Sequence, residues 1–332
     1  MLVKKIGCIL LCLLLETSLI HGESYVVMSD SDNTILEAKN KDKQQSVASI
    51  SKIMSAIIAI EEGNLQDSWK CSDEIRKAQG SSVYLKVGQD VTLKDLLYGL
   101  MLRSGNDAAN EIANHIGKSQ QGFVKMMNDK ASEIGMRNTL FSNPSGLDES
   151  DAGNVSTAQD MAILMSYAMK NATFRKIVST KSYTSTWNYH WVNKNKLLDE
   201  NPFVIGGKTG YTKKAGRTLV SVAKNDNVES IVVTLQQEND FAFHEQKHRE
   251  VFQNVHVVDV LKPGTYNINK KSVNVNRPIQ VTLKKDGSDT LQVCSHFEKN
   301  EYIVEVQKNH ELQVYSFLAK KNKQGWLARL FL

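Results

Sequence analysis

Apolar positions recur with a helical period in five stretches of the chain, framed by shorter strand-like runs. Residues 25–28 and 34–37 predict two strands around a turn at residues 29–33. Ile50, Ile53, Met54 and Ile57 then follow the i, i+3, i+4, i+7 spacing of one helix face, which ends before Gly63. Leu93, Leu96, Leu97, Leu100 and Met101 predict a second amphipathic helix. Ala109, Ile112, Ala113 and Ile116 predict a third, stopped by Gly117. Residues 123–134 and 158–169 carry two more. After Asn201-Pro202 the period changes to that of strands, at residues 204–212, 217–223 and 230–235, with turns at 213–216 and 225–227.

Lys262-Pro263-Gly264 punctuates the chain, and the pattern beyond it is short and strand-like, at residues 266–268, 279–283, 291–294, 302–306 and 312–314. The expected organisation is a mixed helix–strand domain over 24–261, a small all-β domain over 262–316 and a basic, then apolar, tail over 317–332. At the N-terminus Lys4 and Lys5 precede an uncharged apolar run over residues 6–15, which predicts an export signal over 1–23 with cleavage near Gly22. That run is short of the roughly 20 apolar residues needed to span a bilayer. In the tail, Trp326, Leu327, Leu330 and Phe331 would fall on one face of a short helix, with Lys320, Lys321, Lys323 and Arg329 available to anionic headgroups. That pattern suits weak attachment to an anionic membrane surface.

Composition narrows the class without deciding it. At 332 residues, with 41% apolar and 23% charged positions, the chain is long enough for two domains and ordinary in composition for a globular protein. A net charge of +5 suits an anionic wall or lipid surface but is too small to argue for nucleic acid, and no Arg–aromatic clusters support that partner. Cys8 and Cys12 fall inside the export signal. Cys71 and Cys294 remain, too far apart in sequence for a disulfide framework, and are expected as unpaired buried thiols.

Three short motifs carry the chemistry: Ser49-Ile50-Ser51-Lys52, Ser104-Gly105-Asn106 and Lys208-Thr209-Gly210. Ser49 and Lys52 stand one turn apart at the start of a helix, on one face. A serine hydroxyl becomes a good nucleophile when a neighbouring base takes its proton. A lysine serves as that base once burial and a helix N-terminus pull its pKa down. Ser104 and Asn106 lie in the break between two helices, where Ser104 can relay a proton and Asn106 can orient the lysine. Lys208 and Thr209 lie on a strand beside a hairpin, where they can offer a cation and a hydroxyl to a carboxylate while Gly210 leaves room for close approach. Each motif alone is cheap, as second copies of the patterns at Ser221–Lys224 and Ser31–Asn33 show.

A rival pattern is His244-Glu245-Gln246-Lys247-His248, which fits H-E-x-x-H, the zinc peptidase spacing. Gln246, Lys247, Arg249 and Glu250 make that helix read as a solvated polar face, and no third ligand is evident, so no metal and no cofactor are expected.

The ordered set of three motifs is the acyl-enzyme signature of penicillin-binding proteins and serine β-lactamases. The chain resembles the low-molecular-weight penicillin-binding proteins, the D-alanyl-D-alanine carboxypeptidases of serine peptidase family S11. The likeness lies in Ala48 to Met54, Leu102 to Ala109, Asn143 to Leu147, Ser156 to Ala162 and Gly207 to Thr212. The resemblance implies an α+β fold: a β-lactamase/DD-peptidase-like domain, with an antiparallel sheet flanked by helices and a helical subdomain, then a small all-β domain. It implies removal of the terminal D-Ala from peptidoglycan stem peptides in the bacterial cell envelope, with β-lactams as covalent inhibitors. It casts Ser49 as the acylated nucleophile, Lys52 as its base, and Ser104 and Asn106 as assistants. Lys208, Thr209 and Gly210 would bind substrate, and the backbone N–H groups of Ser49 and Tyr211 would form the oxyanion hole. A serine β-lactamase and a non-catalytic wall-binding homologue are the alternatives. Against the first, no Glu-x-x-Leu-Asn follows Ser104-Gly-Asn106; against the second stands the intact motif set.

Overall fold

Strand β1 (Ser24–Ser29) turns back into β2 (Ile35–Lys39), the hairpin expected from the pattern at residues 25–37. The computed structural model describes residues 23–148 and 153–321. After the two-residue β3 (Gln45–Ser46), a 3-10 turn at Ala48–Ser51 runs directly into α1 (Lys52–Glu62). β4 (Ser68–Lys70) and β5 (Asp90–Thr92) pair ahead of α2 (Leu93–Arg103). The Thr92 hydroxyl caps α2 by accepting from the Asp95 N–H at 3.1 Å. α3 (Asn106–Gly117) and α4 (Gln120–Glu133) follow, and β6 (Val155–Ser156) closes back onto β3. α5 (Ala158–Met169) and α6 (Ala172–Val178) then lead into the small hairpin of β7 (Ser182–Thr184) and β8 (His190–Val192). The one-turn α7 (Leu197–Glu200) precedes the long strands. Neither α6 nor the β7–β8 hairpin stands out in the apolar pattern, because α6 has only 7 residues and each hairpin strand only 3, too few to repeat the pattern.

β9 (Val204–Thr212), β10 (Gly216–Asn225) and β11 (Val228–Leu235) join β1 and β2 in one antiparallel sheet ordered β2-β1-β11-β10-β9. Alternate side chains point to opposite faces. Val26, Met28, Val220, Val222, Ile231 and Val233 therefore face the helical layer, packing into one cluster with α1, α2, α3 and α5. Val27 and Val232 face the other way, beneath α8 (Asp240–Asn254), in a cluster with Val251 and Val255. Every residue of β11 is buried because both of its faces are covered.

α8 departs from the solvated face that its sequence suggests. His244 and His248 are fully buried against the sheet, while Glu245 turns outward and pairs with Arg249 at 2.9 Å. The polar residues form only the outer face of α8; the i, i+4 spacing of the two histidines puts both inside.

β12 (Val255–Leu261) pairs with β15 (Ile279–Lys284). Between them lie β13 (Gly264–Ile268) and β14 (Lys271–Val275), which belong to a second five-stranded sheet. With β16 (Leu291–Glu298), β17 (Glu301–Lys308) and β18 (Glu311–Lys321) its order is β13-β14-β18-β17-β16. β14 carries only two apolar side chains, Val273 and Val275, too few to announce a strand. Cys71 is buried as expected, but Cys294 is exposed, since it lies on β16, the edge strand of its sheet, where residues 292–296 are all exposed. Residues 1–22 of the expected export signal and the apolar residues of the tail fall outside the described residues. Among the described residues no helix is long and apolar enough to cross a membrane.

Candidate active site

Ser49 sits in the tight turn before α1, half-buried, with Lys52 as the first residue of the helix. The turn is pinned from within and from without. The Ser51 hydroxyl donates to the Ala48 carbonyl at 2.8 Å, and the Thr218 hydroxyl of β10 donates to the Val47 carbonyl at 3.1 Å. Ala48 itself adopts φ +49°, a conformation that costs free energy for a side chain with a Cβ.

Lys52 has no exposed surface. Its Nζ lies 3.0 Å from Ser49 Oγ and 2.6 Å from Asn106 Oδ1, and it donates to the main-chain carbonyl of Ser145. Among the described residues it pairs with no carboxylate. Burial pushes its pKa well below the usual lysine range, and the neighbouring charges of Lys208 and Lys194 push it further, while Asp107 opposes them weakly. The site therefore favours a neutral amine beside a serine hydroxyl.

α2 ends at Ser104 because that residue takes the left-handed conformation, φ +63°, and α3 begins again at Asn106. The break turns the Asn106 amide inward, where Nδ2 donates to the Gln79 carbonyl and Oδ1 faces Lys52. The Ser104 hydroxyl is buried and has no hydrogen-bond partner among the described residues. An unsatisfied buried hydroxyl is costly in a resting protein, and such groups concentrate where substrate or water completes the bonding. Asp107, next along α3, fixes the facing loop: its carboxylate accepts from the Ser82 hydroxyl at 2.6 Å and from the Val83 and Leu85 N–H groups at 3.0 and 3.1 Å.

β9 is an edge strand of the main sheet, so one side of its backbone is open to pairing with an extended peptide. Lys208 is 1% exposed, not the solvated edge lysine that an isolated strand would carry. Its Nζ donates to the Thr209 carbonyl at 2.7 Å, and burial, aided by the charge of Lys194, lowers its pKa to about 7. Gly210 stands directly against the nucleophile turn: a Cβ there would lie 3.0 Å from the Ser49 nitrogen and 2.4 Å from the Thr218 hydroxyl. Tyr211 pairs with Arg217 on β10 and leaves its ring in solvent.

Two contributors carried no assigned role in the sequence. The loop at residues 143–147 supplies the Ser145 carbonyl to Lys52. It is braced by the Asn143 carboxamide, which accepts from the Ser145 and Gly146 N–H groups at 3.1 and 2.7 Å. Buried Asn154 holds the same loop from behind, accepting from Ser142 and Asn143 N–H groups at 2.7 and 3.0 Å. The turn-forming run Asn-Pro-Ser-Gly was the available signal. Lys194 was the other; it lies on a loop whose charge gains meaning only beside Lys208.

The rings of His244 and His248 are held by hydroxyl groups. Their four ring nitrogens share hydrogen bonds with the hydroxyls of Ser221, at 2.6 and 2.7 Å, Ser230, at 2.7 Å, and Thr234, at 2.9 Å. Among the described residues no group of three or more metal-ligating side chains converges. Ser221, the serine of the second Ser-x-x-Lys pattern, is thus a buried bridge between sheet and helix.

Residues 15–239 match the family model for D-alanyl-D-alanine carboxypeptidases of peptidase family S11. The D-alanyl-D-alanine carboxypeptidase DacF of Bacillus subtilis is 32% identical over 318 residues, covering 88% of this chain and 80% of that one. The crystal structure of a D-alanyl-D-alanine carboxypeptidase from Mycobacterium tuberculosis superposes with a TM-score of 0.64 at 30% identity, covering 69% of this chain and 89% of that one. Penicillin-binding protein 5 of Haemophilus influenzae, at 23% identity and TM-score 0.76, shares the fold over 90% of this chain and 96% of its own.

Proposed function

The chain belongs to the serine S11 family of D-alanyl-D-alanine carboxypeptidases, and from that premise we propose that Ser49 is its acylated nucleophile. The activity is that of a serine-type D-Ala-D-Ala carboxypeptidase acting on peptidoglycan stem peptides, with β-lactams as covalent ligands. One observation carries the assignment of roles: a buried lysine, without a counter-ion among the described residues, 3.0 Å from a serine hydroxyl.

Neutral Lys52 takes the proton of Ser49, whose Oγ attacks the carbonyl of the penultimate D-Ala. The backbone N–H groups of Ser49 and Tyr211 stabilise the developing oxyanion, a contribution worth about 3–4 kcal/mol per donor in comparable sites. Ser104 passes a proton to the departing amine, and Asn106 holds both Lys52 and the substrate amide. Lys208 and Thr209 hold the terminal carboxylate, with Gly210 letting the peptide lie along β9. Water then hydrolyses the acyl-enzyme. A β-lactamase is not favoured, since among the described residues no carboxylate bonds to Ser49 or Lys52 to drive rapid deacylation.

We propose a catalytic domain over residues 24–261 and a β-rich domain over 262–316, and the pairing of β12 with β15 supports extending the second back toward residue 255. We also assign the enzyme to the outer side of the cytoplasmic membrane, with the tail from 317 to 332 as a weak peripheral anchor. Sedimentation with anionic vesicles, with and without residues 320–332, tests that attachment.

The decisive experiment labels the purified protein with a fluorescent penicillin and assays D-Ala release from diacetyl-L-Lys-D-Ala-D-Ala. Both should be lost in Ser49→Ala while the fold is kept. Labelling that persists in that variant rules the assignment out.

A further inference from the structure

Asp148 stands just beyond the loop that gives the Ser145 carbonyl to Lys52, and its half-buried carboxylate joins two segments remote in sequence. Oδ1 accepts from the hydroxyl of Ser46, on β3, at 2.8 Å. Oδ2 accepts from the hydroxyl of Thr212, the last residue of β9. Chemistry fixes the direction of these bonds. A carboxylate only accepts, and the Thr212 oxygen itself accepts from the Ala215 N–H at 3.0 Å, so its one proton goes to Asp148. The carboxylate is also walled in, since a Cβ on Gly153 would stand 2.1 Å from Oδ1. The preceding residue is held as well: the Leu147 carbonyl accepts from Asn143 Nδ2 at 2.8 Å.

The two residues that Asp148 joins flank the N–H groups assigned to the oxyanion hole. Ser46 lies three residues ahead of Ser49, and Thr212 directly follows Tyr211. Ser49 belongs to the turn before α1 and Tyr211 to β9, so no single element sets the spacing of their N–H groups. One link between the segments is the Thr218 hydroxyl on the Val47 carbonyl, with Thr218 facing Gly210 in the β9–β10 ladder. Asp148 supplies a second, through charge-assisted bonds that are stronger than a neutral one. Oxyanion donors act only when they are aimed at the place where charge develops.

We propose that Asp148 is a positioning residue for the oxyanion hole. Its carboxylate clamps Ser46 to Thr212 and so holds the Ser49 and Tyr211 N–H groups at the spacing that the tetrahedral intermediate requires. It moves no proton and touches no substrate: its two oxygens are taken up by the two hydroxyls. One chain segment then serves both halves of the chemistry, the base through the Ser145 carbonyl and the oxyanion through the Asp148 carboxylate. The clamp rests on the oxyanion role given to Ser49 and Tyr211 above.

The test sets kcat/KM for D-Ala release beside the Ki of a peptidyl boronic acid, whose boron binds Ser49 Oγ and places an oxygen where the oxyanion forms. Asp148→Ala should lower kcat/KM about 100-fold, carried by kcat, and raise Ki by nearly the same factor. Asp148→Asn, which keeps one acceptor, should fall between the two. Thr212→Val removes the hydroxyl at constant shape and should cost about 10-fold. Combined with Asp148→Ala it should add little, because both break the same link. A role in folding alone would lower the number of sites that titrate with fluorescent penicillin and leave the Ki of the remaining sites unchanged. That result, or wild-type kcat/KM in Asp148→Ala, overturns the proposal. Should Asp148→Ala fail to fold, Thr212→Val carries the same comparison, and an unchanged Ki there is equally fatal. A wild-type enzyme that releases no D-Ala and takes no label at Ser49 would instead strike the acyl-enzyme reading, and the clamp with it.

Discussion

Gly146 packs so closely on Ala48 that a Cβ at the glycine would stand 1.9 Å from the Ala48 carbonyl oxygen. This contact joins the loop at 143–147 to the nucleophile turn, and it delivers the Ser145 carbonyl to Lys52. Gly146 also adopts φ +75°, so both space and backbone conformation require glycine. Gly146→Ala should cost on the order of 3 kcal/mol by overpacking and backbone strain, and should slow penicillin acylation more than it lowers stability. Urea unfolding beside stopped-flow acylation measures both. Acylation at the wild-type rate would show that the loop does not position Lys52.

The two buried lysines set opposite limbs of the pH profile. Lys52 is useful once it has lost its proton, and its pKa lies well below the usual range, so kcat/KM should already be rising on the acid side. Lys208 is useful while it keeps its proton, and its pKa in the free enzyme is about 7, so kcat/KM should turn down as pH climbs past that value. A bound carboxylate raises the pKa of Lys208, which moves the descending limb of kcat to higher pH than that of kcat/KM. Lys208→Arg, charged throughout, should abolish the descending limb. A profile for kcat/KM that rises without a turn to pH 9 contradicts the role of Lys208.

Much of this arrangement was legible in the sequence, and the reasons are local. The period of α5 gives that element to the residue, and the bounds of β9 follow from Asn201-Pro202 ahead of it and the turn at residues 213–216 behind it. Ser49, Lys52 and Asn106 converge because a helix start and a helix break are both encoded nearby, by apolar spacing and by Gly105. What the sequence hid depends on distant chain segments. Nothing in Asn-Pro-Ser-Gly says that its carbonyl meets a lysine from α1, and nothing around Lys194 says that it approaches Lys208. The histidines of α8 were misjudged because their neighbours in sequence are polar, whereas their neighbours in space are the hydroxyls of β10 and β11.

Those histidines should make stability sensitive to acid. Burial lowers the pKa of His248 to about 3, and that of His244 well below the ordinary value. The unfolded chain binds protons on both near pH 6.5, while the folded chain refuses them. Stability from this pair is therefore complete above about pH 6.5 and is lost as pH falls toward 3, with a slope of up to about 1.4 kcal/mol per pH unit for each histidine. His248→Gln should lower stability at pH 7 through its lost hydrogen bonds, yet flatten the decline between pH 6.5 and 4. Urea midpoints across that range decide it; an equally steep decline in the variant would place the acid sensitivity elsewhere.

Ser104 should separate activity from stability more cleanly than any other residue of the site. Its hydroxyl is buried without a partner among the described residues, so the resting fold gains nothing from it. Ala at this position keeps the same backbone demand, since the left-handed φ of +63° is about as costly for alanine as for serine. Ser104→Ala should therefore leave the melting temperature unchanged or slightly raised, because a desolvated hydroxyl is removed. Peptide turnover should fall about 10²–10⁴-fold if Ser104 carries the proton to the leaving amine. Differential scanning fluorimetry and D-Ala release on the same preparation measure the two effects together. Full turnover in the variant would remove Ser104 from the proton path, and a fall in turnover matched by a fall in melting temperature would make its role structural.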